Sequence, residues 1–493
     1  MTPDLFINGE FLSTKNKQKI LNPCTQEPIA EASLASESEV ELAVSSARAC
    51  FDNGGWPDLP LEKREKLLLK VSQGILDKAE ALAKLESLNT GKPIKETTFM
   101  DIPSSARSFE YMARNLKAFL EDRTIDVQPD ASCRLLRQPT GVVALIVPWN
   151  YPLLIASWKL ASSLAAGNAV VLKPSSLTPL TALELGRIFK EAGFPKGAVN
   201  IINARGEEAG ACICENEKID MISFTGSNEV GRRIISNSAR RVKKTIMELG
   251  GKSASIVFKD ADIDTAVNSS LASIFLNQGQ MCTAMSRIFV EDDIYDSFEQ
   301  CFCAKAGRIK LGNSLDHETQ MGPLISERQR KRVMGFVERA KEQGAAIACG
   351  GGIPQAQDLQ KGFFFEPTVI TGVKPVMEIF REEVFGPVAC LGKFSTADEA
   401  INLANDSQFA LAACVWTKDD ALAQDTARRI NAGTVWINTY GMFYNEAPYG
   451  GFKQSGFGKE LGREGFLEYT ALKNVVVDKT PDSKPLVNFW YGF

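Results

Sequence analysis

The stretch Gly141-Val-Val-Ala-Leu-Ile-Val147 contains no polar side chain, and Pro148-Trp-Asn150 ends it. Such a run is typical of a β-strand that is buried on both faces. A helix of small residues follows at 156–166, and the strand pattern returns in Asn168-Ala-Val-Val-Leu-Lys173. Two successive strand–helix units predict a right-handed parallel sheet, the frame of a dinucleotide site. We therefore expect an α/β fold.

Polar residues end several of the predicted strands, where parallel sheets place their chemistry. Asn150 and Lys173 stand at two such ends, and Glu248 ends a later strand just before two glycines. Phe224-Thr-Gly-Ser227 leads from a strand into a helix, whose N-terminal amides suit a phosphate. From these residues alone, Asn150 could equally satisfy a turn, and the segment at Ser227 could be an ordinary strand–helix connection.

A possible nucleophile lies in Asn277-Gln-Gly-Gln-Met-Cys282-Thr283. Gly279 permits a tight turn that would present the thiol of Cys282, although a single cysteine is more often a small buried hydrophobic residue. The sequence has one histidine, His317, in a polar run that predicts a surface loop. If Cys282 is a nucleophile, we therefore expect its proton partner to be a carboxylate.

Composition excludes several classes of protein. The chain has 493 residues, a net charge of −4 and 44% hydrophobic residues, so no basic surface for nucleic acid is expected. No segment predicts a signal peptide or a membrane span, and we predict a cytoplasmic protein. The 11 cysteines lack the spacing of zinc ligands, so we expect free thiols and no metal site.

Seven motifs in this order resemble the NAD(P)-dependent aldehyde dehydrogenases, and the match extends over essentially the whole chain. They are Pro148-Trp-Asn-Tyr-Pro152, Lys173-Pro-Ser175, Phe224-Thr-Gly-Ser227, Glu248-Leu-Gly-Gly-Lys252, Gly279-Gln-Met-Cys282, Glu382-Glu-Val-Phe-Gly-Pro387 and Ser455-Gly-Phe-Gly-Lys-Glu460. The resemblance implies a Rossmann-type cofactor domain, an α/β catalytic domain and a small β oligomerisation arm.

The resemblance also implies the chemistry. Cys282 attacks the aldehyde carbon, and the side chain of Asn150 and the backbone amide of Cys282 hold the oxyanion. Glu248 activates the water that hydrolyses the thioester. Glu460 matches a second family carboxylate, which either relays protons or forms a structural salt bridge.

The expected cofactor is NAD+ and/or NADP+. Lys173 should meet the adenosine ribose, Ser227 the pyrophosphate and Glu383 the nicotinamide ribose. Many NAD-specific members have a glutamate directly after Lys-Pro-Ser, where this chain has Ser176, so we expect NADP+ to be tolerated. The full set of expected cofactor contacts is Trp149, Lys173, Ser176, Gly226, Ser227, Leu249, Glu383 and Phe385.

The substrate is expected to be betaine aldehyde or an aminoaldehyde, because the chain looks most similar to bacterial betaine-aldehyde dehydrogenases. Tyr151, Trp158 and Tyr449 match positions that form an aromatic box for a quaternary ammonium there. Phe275 and Leu276 lie where plant-type members have a further tryptophan. The alternatives are a tunnel for neutral aliphatic, aromatic or polyene aldehydes, or succinate semialdehyde, for which Arg287 is the only hint.

The resemblance suggests how the chain is divided. Residues 1–123 and 140–250 form the cofactor-binding domain, and 251–445 form the catalytic domain. Residues 446–473 form a loop and helix that return to the cofactor domain. The hairpin at 124–139 and the tail at 474–493 form the oligomerisation arm of a homodimer or homotetramer. The short strand at Val475–Val477 could pair with that hairpin or with a neighbouring subunit.

Overall fold

The structure is a computed structural model that describes residues 3–128 and 131–479. Its strands are β1 Leu5–Ile7, β2 Glu10–Leu12, β3 Lys17–Leu21, β4 Pro28–Ser33, β5 Arg123–Gln128, β6 Ala131–Pro139, β7 Val142–Ile146, β8 Ala169–Lys173, β9 Val199–Ile201, β10 Met221–Thr225, β11 Lys244–Glu248, β12 Ala254–Val257, β13 Arg287–Glu291, β14 Ala346–Cys349, β15 Thr368–Thr371, β16 Val388–Phe394, β17 Phe409–Ala410, β18 Ala412–Trp416, β19 Thr434–Ile437, β20 Phe452–Lys453, β21 Gly456–Phe457 and β22 Thr470–Asp478.

The α-helices alternate with these strands over most of the chain. They are α1 Glu37–Asp52, α2 Leu61–Asp77, α3 Ala79–Thr90, α4 Ile94–Glu96, α5 Ile102–Phe119, α6 Pro152–Ala166, α7 Leu180–Ala192, α8 Gly206–Glu215, α9 Asn228–Ser238, α10 Ile263–Phe275, α11 Asp292–Ala306, α12 Glu327–Glu342, α13 Glu378–Arg381, α14 Ala397–Asn405, α15 Asp420–Arg429 and α16 Gly462–Glu468.

The predicted parallel sheet is confirmed. Its strand order is β2-β1-β9-β8-β7-β10-β11-β21, and β9 through β11 run parallel. Helices cover both faces of this sheet, and β7 and β8 are fully buried, which explains their unbroken apolar sequence. The strand that follows β7 in the chain, β8, lies on one side of β7 in the sheet, and the later strand β10 lies on the other side of β7. The carboxyl ends of β7 and β10 therefore form the switch point at which such sheets bind ligands.

A second sheet has the order β14-β15-β16-β13-β12-β18-β19 and is parallel except at β14. The strands on either side of Gly251, β11 and β12, lie in different sheets. The extended arm is a third sheet, in which β6 pairs with β5 on one edge and with β22 on the other. Of the two partners considered for the last strand, the hairpin is therefore the one observed.

The outer edge of the first sheet is closed by a late part of the chain. Residues Gly456–Phe457 of β21 pair antiparallel with Met247 and Glu248 at the end of β11. Pro129 of the predicted hairpin and residues 480–493 of the predicted tail lie outside the described residues. Among the helices that are described, none combines the length and apolarity needed to cross a membrane.

Candidate active site

Cys282 follows a loop whose backbone is set by three consecutive positive φ angles. Asn277, Gln278 and Gly279 have φ of 46°, 56° and 69° directly after α10. Glycine adopts such angles freely, whereas asparagine and glutamine need support. The backbone amide of Asn277 donates to the buried carboxylate of Glu96 at 3.0 Å, and this bond helps to hold the turn.

Two glycines allow other segments to approach this loop. A Cβ atom on Gly279 would lie 2.1 Å from the carbonyl oxygen of Gly386, and one on Gly251 would lie 2.3 Å from the carbonyl oxygen of Cys282. Both distances are far inside normal contact. The loop therefore packs backbone against backbone with the segment after Glu248 and with the segment that contains Glu383.

Asn150, which follows β7, is buried next to this loop. Its Nδ2 atom donates to the carbonyl of Gln280 at 2.8 Å, and Asn277 Nδ2 donates to the carbonyl of Asn150 at 2.9 Å. The first bond uses one of the two N–H groups on Asn150 Nδ2. Asn150 and Cys282 line the same cleft, so the second N–H is available to an oxygen bound there.

Glu248 ends β11 and is 3% exposed, yet neither of its carboxylate oxygens has a hydrogen-bond partner among the described residues. Burial raises its pKa well above the usual range, and the negative charge of Glu460 adds to that increase. A Cβ atom on Gly450 would lie 2.5 Å from Glu248 Oε1, so this glycine gives the carboxyl its space. A buried carboxyl without a partner, in a cleft with a thiol, has the properties of a general base.

Glu460 also borders the cleft, but its carboxylate is fully engaged. Its Oε1 atom accepts a hydrogen bond from Lys159 Nζ at 2.5 Å, and both side chains are buried. The hydroxyls of Ser223 and Tyr469 donate to the same carboxylate at 3.3 Å and 3.4 Å. Glu460 therefore forms a buried salt bridge, and its partner is Lys159.

Burial of the thiol raises the pKa of Cys282 to about 12. Its Sγ atom lies 3.2 Å from the hydroxyl oxygen of Tyr449. The only histidine of the sequence, His317, is exposed on the surface. Cys282 is therefore a protonated thiol at neutral pH in this structure, with a phenol as its hydrogen-bond partner.

The expected adenosine and phosphate contacts lie at the carboxyl edge of the first sheet. Lys173 ends β8, and desolvation lowers the pKa of its buried ammonium to about 8. Among the described residues, this ammonium donates only to the carbonyl of Pro174, at 3.3 Å. Ser227 is the N-cap of α9 and is exposed beside Gly226. Ser176 is half-buried, and its carbonyl accepts from Gln18 Nε2 at 3.0 Å. The N-terminus of α9, an exposed hydroxyl and the buried ammonium of Lys173 fit a dinucleotide.

The expected nicotinamide contacts lie where the two halves meet. Glu383 Oε1 accepts from the amide of Gly251 at 3.0 Å, and burial raises the pKa of this carboxyl to about 7. Phe385 has a φ of 61°, and its ring meets Trp149 edge-on at 5.2 Å between centroids. Leu249 lines the cleft that contains Cys282. Trp149 and Leu249 follow strands of the first sheet, whereas Glu383 and Phe385 precede a strand of the second sheet. The predicted nicotinamide site therefore needs residues from both sheets.

The cleft in front of Cys282 has a volume of about 420 Å³ and an aromatic wall. Trp158 and Tyr449 pack edge to face at 5.7 Å between centroids. Phe443, which the sequence analysis did not select, lies 5.4 Å from Tyr449 and 5.9 Å from Trp158. The three predicted aromatic residues, Tyr151 included, therefore line one cavity with the thiol.

Tyr151 differs from the rest of the wall because protein groups already engage it. Its hydroxyl donates to Met281 Sδ at 2.9 Å. The ammonium of Lys92, which is ion-paired with Asp101 in the interior, lies 4.1 Å from the centroid of the Tyr151 ring. Lys92 and Met281 were not anticipated, because nothing near either residue in the sequence marks it as a neighbour of Tyr151.

Two expected substrate residues, Phe275 and Leu276, lie away from the cleft, and so does Arg287, the hint for succinate semialdehyde. Phe275 ends α10 and packs into the core against Phe302, and Leu276 borders a separate surface depression with Lys305, because the turn at Asn277 carries both away from the thiol. The buried guanidinium of Arg287 donates to the carbonyls of Lys252, Leu403 and Ala404. Phe275 and Leu276 therefore do not add to the aromatic wall of the cleft, and the guanidinium of Arg287 is engaged by backbone carbonyls instead of facing the cleft.

The mouth of the cleft was also missed by the sequence analysis. It exposes large apolar side chains: Phe99, Met100, Met442, Phe443 and Tyr444. The only available signal was the cluster Met442-Phe-Tyr444 inside a glycine-rich loop, where large apolar residues are unusual.

Comparisons with known proteins agree with this geometry. Betaine aldehyde dehydrogenase of Bacillus subtilis (strain 168) is 43% identical over the full length of both chains. Human retinal dehydrogenase 2 is 40% identical over 96% of this chain and 91% of its own. A crystal structure of betaine aldehyde dehydrogenase from Staphylococcus aureus in complex with NAD+ superposes with a TM-score of 0.95 and 41% identity, covering 98% of this chain and 96% of that chain.

The sequence profile described as "Aldehyde dehydrogenase family" matches residues 11–475, which include every segment of the cleft. A thiol, an amide and an unpartnered carboxyl thus converge in a chain that matches this profile over nearly its whole length. The protein belongs to the aldehyde dehydrogenase family.

Proposed function

We propose that the protein oxidises betaine aldehyde, or a related aminoaldehyde, to the carboxylic acid with NAD(P)+. The observation that carries this proposal is the aromatic wall at the thiol, formed by Tyr151, Trp158 and Tyr449. Aromatic faces attract a quaternary ammonium by about 0.5–2 kcal/mol per contact. The similarity to betaine aldehyde dehydrogenase of Bacillus subtilis supports the same substrate.

In the proposed reaction the thiol of Cys282 first releases its proton to solvent. The thiolate sulfur then bonds to the aldehyde carbon, and the carbonyl π electrons move to the oxygen. The free N–H of Asn150 and the backbone amide of Cys282 stabilise that oxyanion. The bound NAD(P)+ supplies the acceptor for the hydride that leaves the same carbon. Glu248 then removes a proton from water, whose oxygen bonds to the thioester carbon while the carbon–sulfur bond breaks.

The cofactor is proposed to bind along Lys173, Ser176, Gly226 and Ser227, with its nicotinamide end near Trp149, Leu249, Glu383 and Phe385. Because Ser176 has no charge to repel a 2′-phosphate, we expect useful turnover with NADP+. Ser176→Glu should reduce kcat/KM for NADP+ by roughly tenfold or more, about 1.4 kcal/mol, and change that for NAD+ much less. Negligible NADP+ turnover by the unmodified enzyme would contradict this expectation.

A second candidate substrate class is a neutral apolar aldehyde, whether aliphatic, aromatic or polyene. Two observations favour it. The cleft mouth exposes five large apolar side chains, and Lys92 already places an ammonium against the ring of Tyr151. A substrate cation near that ring would also meet the charge of Lys92.

The deciding experiment compares kcat/KM for betaine aldehyde with that for 3,3-dimethylbutanal, its neutral isostere, at saturating NAD+. The two aldehydes differ essentially in charge, so the contribution of shape cancels. A preference for betaine aldehyde of roughly tenfold or more, about 1.4 kcal/mol, supports the cation site. Equal values, or a preference for the neutral aldehyde, would support the second candidate.

The covalent mechanism has its own test. Cys282→Ala should abolish aldehyde-dependent NADH formation while the protein still folds and binds the cofactor. An active Cys282→Ala variant would refute the mechanism, and an unmodified protein that binds NAD+ but oxidises no aldehyde would indicate a binding role instead.

We also propose that the arm formed by β5, β6 and β22 joins subunits into a homodimer or homotetramer. It exposes apolar side chains, including Val127 (51%), Leu472 (53%) and Val476 (63%), on a sheet with open edges. Light scattering of the unmodified protein and of a Leu472→Lys/Val476→Lys variant tests this placement, because the variant should dissociate into smaller species.

A further inference from the structure

The hydroxyl of Tyr449 occupies an unusual position for a residue of a substrate wall. Tyr449 is 6% exposed, and its hydroxyl oxygen lies 3.2 Å from Cys282 Sγ. Among the described residues, that thiol is the only hydrogen-bond partner of the hydroxyl. A buried phenol normally finds a partner, and here the partner is the nucleophile.

The position of this phenol is fixed by contacts of the Tyr449 backbone and of the Tyr449 ring. The backbone amide and carbonyl of Tyr449 exchange two hydrogen bonds with those of Glu460, each 2.7 Å long. The ring packs between Trp158 and Phe443, with centroid distances of 5.7 Å and 5.4 Å. Rotation of the ring away from the sulfur would disturb this packing. The contact with Cys282 is therefore built into the wall.

When the thiol of Cys282 loses its proton, the resulting buried thiolate needs a hydrogen-bond donor or a positive charge to stabilise it. Nearby histidine is absent, because the single histidine of the sequence is exposed elsewhere. Burial disfavours the charged sulfur, and the carboxylates of Glu383 and Glu248 oppose it further. A thiolate accepts hydrogen bonds but cannot donate, so in the ionised state the bond must run from the Tyr449 hydroxyl to sulfur.

We propose that the hydroxyl of Tyr449 is the donor that stabilises Cys282 as a thiolate before attack, which makes Tyr449 a catalytic residue as well as part of the substrate wall. This inference rests on the proposed function only through the assignment of Cys282 as the nucleophile. No proton passes through the hydrogen bond, so the overall reaction is unchanged.

The hydrogen bond has two opposing effects on reactivity. It increases the fraction of thiolate, by roughly ten- to a hundredfold for a bond to a charged acceptor. It also makes each thiolate less nucleophilic, which cancels nearly half of that gain on a logarithmic scale. The net benefit is roughly three- to tenfold at pH values below the pKa of the thiol. It reverses when the thiol is fully ionised, because only the lower nucleophilicity then remains.

The test measures alkylation of Cys282 by iodoacetamide as a function of pH in the full-length protein without cofactor or aldehyde. Mass spectrometry follows Cys282 separately, because the sequence has 11 cysteines. Tyr449→Phe keeps the ring and removes the donor, so its alkylation rate should be roughly three- to tenfold lower between pH 7 and pH 9. Cys414, fully buried in β18, should remain unmodified in every folded variant.

The matched control is Tyr440→Phe. Tyr440 is a neighbouring phenol whose hydroxyl contacts Thr283 Oγ1 at 3.3 Å rather than the thiol. Its alkylation profile should coincide with that of the unmodified protein. Coincident profiles for Tyr449→Phe and the unmodified protein, or an equal decrease in both variants, would overturn the proposal.

Replacing Tyr449 with 3-fluorotyrosine gives a second test, in which the alkylation rate is measured while the hydroxyl is kept. The fluorinated phenol is a stronger donor, so the rate below the thiol pKa should rise. A decrease or no change would overturn the proposal. Alkylation requires no turnover, and therefore a failure of the proposed function, seen as an active Cys282→Ala, is distinguishable from a failure of this inference.

Discussion

Glu460 and Glu248 are two of the buried carboxyl groups that border the cleft, and their surroundings are opposite. Glu460 has an ammonium and two hydroxyls around it, whereas Glu248 has no hydrogen-bond partner among the described residues. Both are less than 5% exposed, so burial does not distinguish them. The difference teaches that burial alone does not decide how a carboxyl is held: one has its charge matched by an ammonium, while the other has no partner and is the carboxyl that we propose as the general base.

The largest expected effect is the loss of turnover in Glu248→Gln. The amide keeps the shape of the side chain but cannot accept the proton of water, so kcat should fall by roughly 10²–10⁴-fold. The first turnover of NADH should persist in rapid-mixing measurements, because hydride transfer precedes hydrolysis. Glu460→Gln is the matched control and should lose less than tenfold. A comparable decrease of kcat in the two variants would show that the two carboxyls do not differ in their importance for turnover.

The next effect concerns stability and should appear at Glu460. Glu460→Gln leaves the buried ammonium of Lys159 without its counter-charge, and breaking a buried pair in this way costs about 3–5 kcal/mol. We expect a clearly lower midpoint of urea unfolding. Adding Lys159→Met removes the uncompensated charge and should restore much of the loss. A double variant no more stable than Glu460→Gln would show that the pair is not the cause.

The smallest effect has the opposite sign and depends on pH. In the folded protein the pKa of Glu248 is raised, so the unfolded chain releases this proton first as pH increases. Between the unfolded and folded pKa values the unfolded state binds fewer protons, and stability falls as pH rises. At pH 8, Glu248→Gln should therefore be more stable than the unmodified protein.

Urea unfolding of both proteins at pH 4 and pH 8 checks this sign. The difference should be small at pH 4, where the glutamate is protonated in the folded state and largely so in the unfolded state. A Glu248→Gln variant that is less stable at pH 8 would show that the carboxylate has a stabilising partner after all.

The elements that bring these groups together were largely predictable from the sequence. Buried parallel strands have unbroken apolar sequences, which can be recognised without the structure. The polar residues that follow such strands, Asn150, Lys173 and Glu248, could therefore be located. Gly279 was expected to permit a tight turn, and its φ of 69° lies in the left-handed region. These signals are local, and for that reason a single sequence contains them.

Pairings between distant segments could not be predicted in the same way. Lys92 reaches the ring of Tyr151, and Lys159 reaches Glu460, across separations that no periodicity encodes. The failures at Phe275 and Leu276 have the same origin, since side-chain direction there depends on three positive φ angles in the next residues. The role of Arg287 was equally hidden, because its carbonyl partners come from Lys252 before β12 and from Leu403 and Ala404 at the end of α14.

The pairing of β21 with β11 also bears on biosynthesis. The strand that ends at Glu248 gains its outer neighbour only from Gly456–Phe457, some two hundred residues later. A nascent chain on the ribosome therefore presents an open edge of a parallel sheet while the second half is being made, and such edges recruit other strands. We expect the nascent protein to depend on chaperones during this interval, and the strand that carries Glu248 to be enclosed on both edges only near the end of translation.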